Sequence, residues 1–178
     1  MTKIKFGMIG GGPGSFIGEV HRMAAALDGQ LELVCGVFSR DENKSRRTAE
    51  QLGVSLERCY SSYVEMMEEE EKLSADERMD FVSIVTPNCL HYPVALSAIE
   101  KGFGVLCEKP ATSNLDECIY LSRACQKYNA QFALAHTYCA YPMVAEAKSL
   151  VTQGMIGEVK KVVVEYSQGW LAQKNSSQ

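Results

Sequence analysis

The sequence predicts an α/β protein in which a parallel sheet carries helices on both faces, the doubly wound arrangement. Short apolar runs alternate along the chain with segments in which apolar residues recur at helical spacing. The apolar runs are nearly continuous, as expected for parallel strands that are buried on both faces. We therefore expect about six strand–helix units joined by right-handed crossovers.

The first two units are the clearest. Residues 3–9 form a short buried strand, and residues 16–28 place four apolar side chains on one helical face, those of Ile17, Val20, Ala24 and Leu27. Residues 31–38 are apolar and β-branched, which predicts a second strand. A polar helix over 41–53 follows, with Asp41 as its N-cap and Gly53 as its stop.

The remaining units continue the alternation. Cys59-Tyr60 is a short strand candidate, and residues 61–72 form an acidic helix whose charges we expect to be solvated. Apolar runs that end at turn residues predict three more strands, at 81–86, 104–108 and 131–136. Helices are predicted between them at 89–102 and at 113–129, the latter opened by Thr112 or Ser113 as cap.

The alternation stops near residue 140. Residues 143–153 predict one amphipathic helix and residues 158–167 one valine-rich strand, a pair that cannot bury an apolar face by itself. We therefore expect residues 1–140 to form one domain and residues 141–178 to begin a second, truncated α+β domain with a frayed end. An unpaired apolar strand also predicts self-association, and a complete second-domain sheet would support a homo-oligomer.

Composition excludes several classes of protein. The chain has 46% apolar residues, 22% charged residues and a net charge of −4, which argues against a nucleic-acid or anionic-membrane partner. Its seven cysteines form no C-x-x-C pair, which indicates reduced core cysteines and no metal site. No targeting or membrane-spanning segment is visible, so we expect a cytoplasmic protein.

A glycine-rich turn joins the first predicted strand to the first helix. Gly10 and Gly12 match the start of G-x-G-x-x-G, whereas Ser15 stands at the third position and Gly18 is left to supply the close helix–strand contact. Glycines let a pyrophosphate approach the backbone, and a helix N-terminus favours its charge. The turn therefore predicts a dinucleotide-binding Rossmann domain; a glycine turn without a ligand is the alternative.

The end of the second predicted strand bears on the choice of dinucleotide. Ser39 and Arg40 stand where an acidic residue would hold the ribose 2′-hydroxyl of NAD, and Lys44 and Arg46 add positive charge nearby. Asp41 is explained as a helix cap. Because Ser39 can donate a hydrogen bond and Arg40 can pair with a phosphate, this pattern favours NADP over NAD. The alternative is that Arg40 is only a surface charge.

Three further motifs are more specific. They are Thr86-Pro87-Asn88-x-x-His91, Cys107-Glu108-Lys109-Pro110 and Ile17-Gly18-x-x-His21. Together they resemble the Gfo/Idh/MocA oxidoreductases, which include glucose–fructose oxidoreductase and inositol dehydrogenase. The resemblance covers essentially the whole chain. It implies hydride transfer between a nicotinamide cofactor and a sugar, inositol or related polyol.

The glycine loop, the end of the second strand and the resemblance together give a set of site residues. Those assigned to the cofactor are Gly10, Gly12, Gly14, Phe16, Ile17, Ser39, Arg40, Thr86, Pro87, Asn88, His91, Glu108 and Lys109. Lys109 is the implied catalytic residue, and its place after a parallel strand suits proton transfer from a substrate hydroxyl. The alternative for Lys109 is a solvated side chain. His21 is interpreted as packing, and His136, Tyr138, Tyr141, Gln168 and Trp170 are weaker candidates near the nicotinamide.

Two departures from the family pattern limit this interpretation. Four residues, Pro13-Gly14-Ser15-Phe16, expand the glycine loop, which indicates a subtype. The Asp/His pair that the family carries in its second domain does not occur in this sequence. We therefore expect impaired or no turnover from this chain, with a non-catalytic nucleotide-binding or regulatory module as the alternative.

Overall fold

Residues 3–167 are described by a computed structural model of the chain, which divides into two units, Met1–His136 and Thr137–Gln178. The first unit holds a five-stranded parallel sheet in the order β2-β1-β3-β4-β5. Its strands are β1 (Ile4–Gly10), β2 (Leu31–Val37), β3 (Phe81–Val85), β4 (Gly104–Cys107) and β5 (Phe132–Leu134). Since the strand order reverses between β1 and β3, a crevice opens at their carboxyl ends. The predicted doubly wound α/β fold is confirmed.

Within residues 3–167, five α-helices belong to the first unit and one to the second. They are α1 (Phe16–Ala26), α2 (Glu42–Leu52), α3 (Tyr63–Lys72), α4 (His91–Glu100), α5 (Leu115–Tyr128) and α6 (Pro142–Thr152). The caps predicted for α2 are confirmed: the Asp41 carboxylate accepts a hydrogen bond from the Lys44 amide, and Gly53 ends the helix with φ of 72°. None of the helices within residues 3–167 is both long and apolar enough to cross a membrane.

Two apolar clusters cover the two faces of the sheet. On one face, α1 and α2 pack over Phe6, Met8 and Val85. On the other, α3, α4 and α5 pack over a larger cluster that includes Val82 and Ile84. Because strand residues alternate between faces, Ser83 points to the α1 side while its neighbours on β3 point to the α4 side. The site described below takes side chains from both faces.

Three predicted features differ from the structure. Cys59 makes only an isolated parallel bridge to Gly36, so the sheet has five strands and not six. Helix α5 is capped by Asn114, whose side chain accepts from the Glu117 amide at 2.9 Å, and not by Thr112 or Ser113. The third is the strand predicted at 158–167, which is absent from the described part of the chain.

The missing strand has a physical reason. Val162, Val163 and Val164 are 75%, 76% and 83% exposed, and no neighbouring strand within residues 137–167 offers a hydrogen-bonding edge. A segment with high β propensity forms a strand only where such an edge is available to pair with it. The helix predicted beside it is confirmed as α6. Gln168, Trp170 and the rest of the predicted frayed end lie outside the described residues.

Candidate functional site

The turn between β1 and α1 can be built only from glycine at two positions. Gly10 has φ of 90°, and a Cβ there would lie 2.7 Å from the Val85 carbonyl oxygen. A Cβ at Gly12 would lie 2.4 Å from the Phe38 carbonyl oxygen. The loop therefore runs in contact with the ends of β2 and β3. Its backbone and the α1 N-terminus form a cradle of the kind that binds a pyrophosphate.

Gly18, and not Ser15, supplies the close contact between helix α1 and the glycine loop. A Cβ on Gly18 would lie 2.4 Å from the Gly11 Cα, so helix and loop pack backbone against backbone. Ser15 instead caps α1, its hydroxyl accepting from the Gly18 amide at 3.3 Å. Arg22, which sequence reasoning missed, donates from Nη1 to the Gly11 carbonyl at 2.9 Å. Its spacing of one helical turn from Gly18 was the only available signal.

A cavity of about 330 Å³ lies where the glycine loop meets the ends of β2 and β3. Its lining consists of Gly10, Gly11, Gly12, Pro13, Ser15, Phe38, Ser39, Lys44, Val85, Thr86 and Pro87. The buried hydroxyl of Thr86 has no hydrogen-bond partner among the described residues. A glycine cradle, a cationic side chain and an orphaned hydroxyl together fit a dinucleotide, because each would meet a polar group of that ligand.

The other residues predicted for the cofactor lie in different surroundings. Arg40 is exposed and lies outside the lining of this cavity, whereas Lys44, from the first turn of α2, lies within it. Gly14 and Phe16 line a separate cavity of about 450 Å³ on the α2 side of the loop. Ile17 packs with the apolar cluster under α1 and α2. Asn88 is exposed and begins a 3₁₀ turn, Asn88–Leu90, ahead of α4.

The segment after β4 carries the predicted catalytic lysine. Lys109 is exposed, whereas the Glu108 carboxyl is buried and accepts from the Lys109 amide at 3.2 Å. His21 Nε2 lies 3.0 Å from the other oxygen of Glu108, and His21 Nδ1 lies 2.9 Å from the Ser83 hydroxyl. His21 is thus a member of this polar cluster as well as a packing residue. Its sequence signal was the Ile17-Gly18-x-x-His21 motif.

Two buried groups beside this segment have different roles. His91 is 1% exposed, and its nitrogens lie 2.6 Å from the Pro110 carbonyl and 3.0 Å from the Thr86 carbonyl. It therefore stands behind the Thr86–Asn88 turn. Burial, with a further contribution from the charge of Glu108, raises the pKa of the Cys107 thiol to about 12. Cys107 is consequently a neutral core side chain near pH 7 and not a nucleophile. His136 is exposed.

Comparison with known proteins places these features in a family. A family model described as an oxidoreductase family with an NAD-binding Rossmann fold matches residues 4–136. The chain is 32% identical over 170 residues to the uncharacterised oxidoreductase YfiI of Bacillus subtilis, covering 95% of this chain and 43% of that protein. It is 31% identical over 148 residues to D-xylose 1-dehydrogenase (NADP(+)) 2 of Haloferax volcanii, covering 83% of this chain and 42% of that protein.

A solved structure agrees with the sequence relatives. The structure of an inositol dehydrogenase homolog from Azotobacter vinelandii, complexed with NADH and myo-inositol, matches with a TM-score of 0.84 and 34% identity. The match covers 88% of this chain and 41% of that one, so the chain spans less than half the length of these relatives. The chain belongs to the Gfo/Idh/MocA family of oxidoreductases, as its three motifs predicted.

Proposed function

We propose that this chain binds a nicotinamide dinucleotide in the crevice between β1 and β3 and contributes Lys109 to hydride transfer with a sugar, inositol or related polyol. The observation that carries the proposal is the cavity in which the glycine cradle, Lys44 and the unpaired Thr86 hydroxyl converge. The D-xylose dehydrogenase and the myo-inositol complex among the relatives support the substrate class. The free cysteines support a cytoplasmic location.

Different residues of the site would bind the cofactor and assist the transfer of hydride. The amides of Gly10–Gly12 and the α1 N-terminus would hold the pyrophosphate, and the Thr86 hydroxyl would donate to a polar group of the cofactor. The nicotinamide would supply the acceptor for hydride. Lys109, exposed at the carboxyl end of β4, would hydrogen-bond the substrate hydroxyl and favour loss of its proton as the C–H bond breaks.

NADP is the proposed dinucleotide. The lining of the cavity includes no carboxylate that would repel a 2′-phosphate, and Asp41, the cap of α2, lies outside that lining. Ser39 and Lys44 line the cavity and offer a hydroxyl and an ammonium group to that phosphate. Arg40, exposed beside Ser39 and outside the lining, would add a further positive charge near that phosphate.

Residues 137–167 support a proposal about domain organisation. Met143 of α6 and Val162–Val164 are exposed apolar residues, and Tyr138 and Tyr166 bond through their hydroxyls at 2.7 Å. Such a surface is typical of a unit that packs against further protein. We propose that residues 1–140 form the dinucleotide-binding domain and that residues 141–178 begin a substrate and oligomerisation domain.

Lys44→Ala is expected to weaken NADP binding at least about tenfold while leaving NAD binding nearly unchanged, because a charge-assisted contact to phosphate contributes about 1.5–3 kcal/mol. Isothermal titration calorimetry with both dinucleotides measures this. Arg47→Ala is the matched control, an exposed cation of the same helix outside the lining, and should change NADP binding less than about threefold. An equal loss for both dinucleotides would contradict a 2′-phosphate contact by Lys44.

Lys109→Met is expected to slow hydride transfer about 10²–10⁴-fold, the usual contribution of a positioned acid–base group. The measurement is reduction of NADP in a single turnover at high protein concentration, with aldoses and inositols as substrates. Lys101→Met, on the surface beyond α4, is the control. Dinucleotide binding with no hydride transfer from any substrate in the unsubstituted chain would instead favour a non-catalytic nucleotide-binding module.

A further inference from the structure

Two histidines reach the Glu108-Lys109-Pro110 segment from opposite faces of the sheet. His21 comes from α1, which packs with the cluster around Met8 and Val85, and it contacts the Glu108 carboxylate. His91 begins α4, which packs with the cluster around Val82 and Ile84, and it contacts the Pro110 carbonyl. The residue between these two contacts is Lys109.

The contact on the α1 side is a continuous chain of hydrogen bonds. Ser83, 1% exposed, lies 2.9 Å from Nδ1 of His21, and Nε2 of the same ring lies 3.0 Å from Glu108 Oε1. The second oxygen of Glu108 accepts from the Lys109 amide. The ring can satisfy both partners, with Nδ1 accepting from the Ser83 hydroxyl and Nε2 donating to Glu108. The chain therefore fixes both the carboxylate and the backbone of Lys109.

The contact on the α4 side joins two turns. The nitrogens of His91 face the carbonyl oxygens of Pro110 and Thr86, groups that can only accept. Thr86 opens the turn that lines the cavity, and Pro110 follows the lysine. His91 thus ties the end of β3 to the end of β4. A shift of either turn would move the other.

Lys109 itself has no side-chain hydrogen bond among the described residues and is exposed. Its ammonium group is therefore aimed only through the backbone that carries it. In proton-transfer catalysis a displacement of about 1 Å can cost about 10²-fold in rate. Rigid support of that backbone thus matters more here than it would for a lysine held by its own ion pair.

We propose that His21 and His91 are positioning residues that hold the Lys109 amine against the bound nicotinamide, His21 through Glu108 and His91 through Pro110. This inference rests on the proposed function of Lys109. It assigns the buried Glu108 carboxylate to the support of the lysine, through the contacts it already makes with His21 and with the Lys109 amide.

The test is the protection of the Lys109 amine by NADP. Acetylation of lysines by acetic anhydride, followed by mass spectrometry, gives a rate for each lysine with and without the dinucleotide. In the unsubstituted chain, saturating NADP is expected to slow Lys109 acetylation about tenfold or more and to leave Lys148 of α6 unchanged. In His21→Leu and His91→Leu that protection should fall below about threefold, while Kd weakens less than about tenfold.

Two further variants make the result specific. In His21→Gln the side-chain amide can still donate to Glu108, so protection should return; loss of packing alone would not be rescued in this way. Ser83→Ala removes only the Nδ1 partner and replaces His21→Leu if that variant does not fold. Full protection of Lys109 in the leucine variants, or in Ser83→Ala, overturns this inference alone. Failure of the unsubstituted chain to bind either dinucleotide overturns the proposed function and this inference with it.

Discussion

Glu70→Ala is expected to destabilise the first unit by about 3–5 kcal/mol, the cost of removing one partner from a buried ion pair. Glu70 is fully buried on α3. Its carboxylate accepts from Arg58 Nε and Nη2 at 2.9 and 2.6 Å, from the Tyr60 hydroxyl at 2.9 Å and from the Met79 amide at 2.9 Å. Alanine would leave the buried Tyr60 hydroxyl and Met79 amide without their acceptor, and the partly exposed Arg58 without its ion pair.

The same carboxylate organises the side chains around it. Burial and the hydrogen bond to Glu70 raise the pKa of the Tyr60 phenol far above its usual value, so the phenol remains a donor at every ordinary pH. Urea unfolding followed by circular dichroism gives the change in stability. Glu71→Ala is the matched control one residue along, where the partner is the surface residue Lys101, and it should cost less than about 1 kcal/mol. Equal effects would refute a special role for the Glu70 cluster.

Gly12→Ala is expected to weaken dinucleotide binding about 100-fold. The new Cβ would lie 2.4 Å from the Phe38 carbonyl oxygen, a backbone atom at the end of β2 that cannot rotate away. The loop would have to withdraw from the strand, and overpacking of this kind costs up to about 3 kcal/mol, or about 100-fold in Kd. Calorimetric titration with NADP measures the change.

Gly14→Ala is the control for that experiment. Gly14 lies in the same loop with φ of 81°, but a Cβ there meets no atom within 4 Å. Its substitution adds only the strain of a left-handed alanine, about 1 kcal/mol, and should weaken binding less than about tenfold. If Gly12→Ala and Gly14→Ala bind NADP equally well, then contact with the Phe38 carbonyl does not set the position of the loop.

Local signals predicted most of the fold. The strands β1 to β5 were found because parallel strands buried on both faces are continuous apolar runs, such as that of Phe81–Val85. The incorrect predictions concern segments whose secondary structure depends on contacts with other parts of the chain. Cys59 meets only Gly36, and Val162–Val164 meet no strand within the described residues, although their β propensity is high. The cap of α5 was misplaced by one or two residues, because Thr112, Ser113 and Asn114 are all good caps.

Motifs predicted which residues belong to the candidate site but not how they are connected. The glycine loop and Lys109 each follow a predicted strand and Thr86 ends one, so their place at one edge of the sheet could be predicted. His21 was interpreted as packing, because its partners Ser83 and Glu108 lie 62 and 87 residues away. The periodicity of apolar residues reports local secondary structure, and it does not show which residues so far apart in the sequence are in contact.

The strand order also determines how this unit must fold. β1 lies between β2 and β3, and its pairing with β3 joins Phe6 to Phe81 and Gly10 to Val85. The first strand to leave a ribosome therefore remains without one of its neighbours until the chain has been synthesised past residue 85. Non-local parallel pairings of this kind form slowly, and unpaired strand edges invite aggregation. During synthesis β1 thus keeps one unpaired edge in the interval between the emergence of β2 and that of β3.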